Sequence, residues 1–117
     1  MDIAGKTDEE LYEIAKPWWE GLIKYSNNKN YLMFIKNFSR SLRDGANEME
    51  IGKQFARSDL AHNLSKEYEV IGTIRRGEHV TVLFKQGHKK REGEWLGRMV
   101  LGIEDDDEVK IFGVSLF

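Results

Sequence analysis

The last fifty residues of this chain change period, and that change constrains the fold more than anything before it. From Tyr68 the sequence divides into Tyr68–Arg75, His79–Gln86, Trp95–Ile103 and Val109–Phe117, each rich in Val, Ile, Thr, Phe and Leu. Polar turns separate them at Arg76-Gly77, Gly87–Gly93 and Glu104–Glu108. Strands joined by short connections run antiparallel, so the four predict a meander sheet. The closing pair, EWLGRMVLGIEDDDEVKIFGVSLF, is two apolar runs around a five-residue acidic turn. In a meander the first and third connections share one end. Arg75 and Arg76 are therefore expected beside Asp105, Asp106 and Asp107, with the basic loop His88-Lys89-Lys90-Arg91 at the far end.

The first part of the chain has helical spacing. Thr7-Asp8-Glu9-Glu10 reads as a capping box, with acids in the first turn to suit the helix dipole. Leu11, Ile14, Ala15, Trp18, Trp19, Leu22 and Ile23 then recur on one helical face. Pro17 removes a backbone donor and predicts a kink or two abutting helices. A second helix is predicted from about Lys29, with Tyr31, Phe34, Ile35, Phe38 and Leu42 as its stripe and Asp44-Gly45 as its stop. A third is predicted from Asn47 through Ile51 and Phe55 toward Leu64. Three helices followed by a meander make an α+β layer architecture, helices covering one face of the sheet. The chain reads as one domain over 1–117: 1–6 frayed, 7–66 the helical cover, 67–117 the sheet.

Composition excludes several classes. The 117 residues hold 18 basic and 20 acidic side chains, net charge −2, so no basic face recommends nucleic acid. There is no cysteine, which removes disulfides, zinc–thiolate sites and thiol catalysis. No apolar run approaches the ~20 residues of a membrane span. The N-terminus is too acidic and polar for a secretory signal, so a soluble, cytoplasmic protein is expected. No two histidines have a metal spacing, the acidic turn lacks the EF-hand pattern, and no phosphate-binding or nucleophile motif is present. No cofactor and no metal are expected.

Arg98 is the most informative single residue. Alternation puts Leu96, Arg98 and Val100 on one face of their strand and Trp95, Gly97, Met99 and Leu101 on the other. A charge within an apolar strand must be paired, solvated or aimed at a ligand anion. Both faces are largely apolar, as expected with helices on one side and a second subunit on the other.

The order and texture of residues 8–117 resemble the nuclear-transport-factor-2-like superfamily, the cystatin-like roll that includes ketosteroid isomerase. WWEGLIKYSNNKNYLMFIKNFSRSL resembles its first helix, polar turn and second helix, and the closing hairpin resembles its last two strands. The resemblance implies three N-terminal helices on a curved four-stranded sheet, a conical pocket between them, and a homodimer through the other sheet face. The family's isomerases use a phenol on the first helix and two carboxylic acids in the pocket. Trp19 falls near the phenol's position, and no strand carries matching aspartates, so the isomerase activity is not implied. The expected role is binding of a small apolar or amphipathic ligand in the cone, with Trp19, Trp95, Arg98 and Tyr12 as lining residues. The alternative is a non-catalytic interaction or dimerisation module with a filled cone. A third reading, an isomerase- or dehydratase-like enzyme, requires an acid–base pair in the cavity.

Overall fold

The computed structural model describes residues 2–45 and 62–117. It is an α+β fold, with mostly N-terminal helices and a four-stranded antiparallel meander. The strands are β1 (Leu64–Arg76), β2 (His79–His88), β3 (Trp95–Glu104) and β4 (Glu108–Leu116), adjacent in chain order. The turn predicted at Arg76-Gly77 forms, with Arg76 paired to His79 and Gly77 at φ +60°, the left-handed geometry glycine accepts freely. β1 begins earlier than alternation indicated, at Leu64. There Asn27 both donates to the Leu64 carbonyl and accepts from its N–H, each at 2.9 Å. The predicted third helix falls on 46–61, outside the described residues, except for its expected end, which is already strand.

Helix α1 (Asp8–Asn27) is continuous, where two abutting helices at Pro17 were one expectation. Its capping box is complete: Glu10 N–H donates to Thr7 Oγ1 at 3.2 Å and Thr7 N–H to Glu10 Oε1 at 3.0 Å. Proline removes one donor, but a break would divide the apolar face shared by Leu11, Ala15, Trp19, Leu22 and Ile23. The shared burial prevails.

The predicted second helix is two short ones, α2 (Tyr31–Phe34) and α3 (Arg40–Gly45). Between them the backbone leaves helical geometry to pair with β4. Ile111 N–H donates to the Asn37 carbonyl and Ser39 N–H to the Ile111 carbonyl, both at 2.8 Å. Phe38 thus forms a parallel bridge with Ile111, closing part of the β4 edge of the sheet. The N-terminus departs from expectation too. Ile3–Gly5 make a 3-10 turn capped by Asp2, and Ile3 is wholly buried in the core rather than frayed.

Alternation on β3 is as predicted: Gly97, Met99 and Leu101 are buried, Leu96 and Arg98 exposed. β2 buries Val80, Val82, Phe84 and Gln86 on the same inner face, against α1. The first and third connections do share an end, but their charges pair elsewhere. Arg75 bonds Asp8 at 2.8 Å and the Lys6 carbonyl at 2.7 Å, while the acidic turn is held by Arg40 through Glu104 and Asp105. Among the described residues no helix is long and apolar enough to cross a membrane.

Candidate functional site

The space between α1 and the sheet is filled by the chain itself. Trp19 projects from α1 onto β2, its indole parallel to the Phe84 ring at 4.3 Å between centroids and 8° between planes. Tyr68 meets Phe84 edge-on at 5.9 Å. The Trp19 Nε1–H donates to Gln86 Oε1 at 2.8 Å, and Gln86 Nε2 donates to the Ser65 and Gly87 carbonyls at 2.7 and 2.8 Å. Every polar atom of that buried amide is satisfied, as burial requires. On β3, Gly97 makes room: a Cβ there would lie 2.5 Å from the Trp19 ring.

The four residues expected to line a ligand site do not converge. Trp19 is the plug just described. Tyr12 is half-buried beside an open groove of about 1010 Å³ between α1 and β1, with Glu9, Glu13, Glu20 and Tyr68. Trp95 is half-buried at the start of β3, its ring centroid 5.5 Å from that of His88. Arg98 lies on the opposite, outer face of the sheet. There its Nε donates to Ser115 Oγ at 2.9 Å and its guanidinium lies 4.4 Å from the centre of the Phe117 ring. A cleft of about 200 Å³ remains between α1 and α2, lined by Trp18, Tyr25, Phe34 and Ile111 among others.

Titratable groups are dispersed as well. Tyr68 donates to Glu20 Oε2 at 2.9 Å, and burial, with Glu20 second, pushes its phenol up to about 12. His62 places Nδ1 2.7 Å from the Ser26 carbonyl at the end of α1. His88 Nδ1 accepts from Lys90 and Arg91 N–H, ordering the basic loop. No group of three potential metal ligands assembles among the described residues.

The outer face of the sheet is the remaining feature. An antiparallel sheet with one wet face normally alternates apolar in and polar out. Here Ile74 is 47% exposed and Leu96 39%, and Leu83, Val100 and Phe112 are only half-buried. Ile74, Leu83, Val100 and Phe112, with Arg76, His79 and Arg98, line a groove of about 450 Å³. At one end Lys85 lies between Glu94, 3.1 Å away, and Glu69, 3.5 Å away; Glu94 first and Glu69 second hold its ammonium above the usual lysine range.

Sequence reasoning grouped Arg98 with Leu96 and Val100 but expected it to line the cone, whereas it lies on the outer face; it missed Phe84 and Gln86. The signal for Gln86 was present: Val80, Val82, Phe84 and Gln86 alternate, which puts an amide at the end of an apolar row. Comparison with family models, curated proteins and solved structures returns no match.

Proposed function

We propose that this chain is a non-catalytic dimerisation module of the nuclear-transport-factor-2-like, cystatin-like roll type, its cone filled and its outer sheet face covered by a second copy. The observation that carries this reading is the Trp19 indole stacked on Phe84, occupying the volume a ligand would need. The chemistry of the interior agrees. Among the described residues the buried polar side chains are Ser26, Ser39 and Gln86, none an acid or base near neutral pH. An isomerase- or dehydratase-like reaction has no proton shuttle there.

The outer face supplies the counterpart. Apolar side chains gathered on one exposed sheet face mark an interaction surface, and a second copy offers the same apolar patch by symmetry. Ligand binding keeps two footings, the open groove of about 1010 Å³ by Tyr12, between α1 and β1, and the cleft by Trp18 and Phe34. The first is a wide, shallow groove rather than an enclosed site, and the cleft, at about 200 Å³, falls below the ~300 Å³ at which small-molecule sites begin.

Analytical ultracentrifugation tests the proposal. The wild type should sediment at twice the mass of the 13.6 kDa chain, and Ile74→Glu or Val100→Glu should shift it to the monomer with unchanged circular dichroism. A wild type that stays monomeric at high micromolar concentration would overturn the reading.

A further inference from the structure

The outer face carries Arg76 at one end and the cluster of Glu69, Lys85 and Glu94 at the other, with apolar side chains and Arg98 between them. Outward residues recur at every second position, about 6.7 Å apart along a strand. At one end stands Arg76, in register with His79 and with no carboxylate partner among the described residues. Next come Ile74, Thr81 and Val100 in one row, then Gly72, Leu83 and Arg98 in another. At the far end Glu69 is in register with Lys85, the one ammonium bridging Glu69 and Glu94. That cluster has two carboxylates for one ammonium, so it is net negative where Arg76 is positive.

Two copies stacked face to face are related by a two-fold axis lying in the plane between them. An axis along the strands keeps like ends together but lays β1 over β4 of the second copy, so Arg76 and Glu69 of the two copies stay apart. An axis across the strands reverses the ends and brings opposite charges together. It lays β1 over β1 of the second copy and crosses it midway between residues 69 and 76. Ile74 of each copy then falls over Gly72 of the other, which has no side chain, next to the exposed Ile71 of the bulge. On β3 the same reversal sets Arg98 over Val100.

We infer that the second copy docks with its strands reversed, Arg76 of each copy pairing with Glu69 of the other, twice by symmetry, with Ile74, Leu83 and Val100 closing the middle. This presupposes the dimer proposed above. Charge complementarity of this kind selects orientation more than it adds affinity, and the axis across the strands is the one of the two that brings Arg76 of one copy to Glu69 of the other.

Charge reversal tests the pairing, because both partners of the contact lie on one chain and both are solvent-exposed. Arg76→Glu and Glu69→Arg should each raise the dimer Kd by about tenfold or more, since each sets like charges together at two places. The double variant should return to within a few-fold of wild type. An equimolar mixture of the two single variants should form a heterodimer tighter than either homodimer. Single variants with wild-type Kd, or a double variant as weak as the singles, would overturn the strand-reversed pairing. If Ile74→Glu still produces monomers in that case, the dimer itself stands and only its orientation is wrong. A monomeric wild type removes both.

Discussion

Trp19 and Phe84 lie 65 positions apart in the chain and 4.3 Å apart as parallel rings. This stack joins α1 to β2, excludes ligand-sized space, and sets the requirement for glycine at position 97 on the neighbouring strand.

Trp19→Ala should therefore destabilise the fold by about 3–5 kcal/mol in urea unfolding, the range for deleting a buried aromatic ring. Gly97→Ala should cost about 1–3 kcal/mol through overpacking against the indole. The two share one cause, so the double variant should lose less than their sum. Strict additivity would show that Gly97 is not kept small by Trp19.

Gln86→Leu leaves the Trp19 N–H buried without an acceptor. A loss of about 1–3 kcal/mol is expected from that orphaned donor. Gln86→Leu in a Trp19→Phe background should be milder, because only the Ser65 and Gly87 carbonyls then lose a partner.

Tyr68 gives the fold an alkaline limit. Its phenol is held up to about 12 by burial and by Glu20, above the ~10 of an unfolded chain. A raised folded pKa contributes stability that is present below about 10 and is lost as pH rises through about 12. Thermal midpoints of the wild type should fall more steeply across that window than those of Tyr68→Phe. Parallel curves would break the link to this phenol.

Ser39 ends the bridge to β4 and starts α3, its Oγ accepting from the Leu42 N–H at 3.0 Å. Ser39→Ala should cost about 1 kcal/mol as a lost helix cap. Hydrogen exchange should quicken at Leu42 and Arg43 first, and unchanged protection there would argue against the capping role.

What could be read from the sequence was local in cause. The capping box needs only Thr7 and Glu10, three residues apart, and the strands need only their own alternation and turns. That Arg98 shares a face with Leu96 and Val100 followed from period two; that this face is the outer one did not. The failures share the opposite origin. Phe38 has the spacing of a helical stripe, yet the backbone around it pairs with Ile111, whose bonds replace those the helix would have made. Ile3 is buried by β2 and β3 residues more than seventy positions away, so no local pattern marks it as core. Trp19 is placed equally well by helical spacing as pocket wall or as plug. Only the arrival of Phe84, Gln86 and the bare Gly97 backbone from distant strands decided between them, because packing and hydrogen-bond satisfaction depend on what the fold brings into contact.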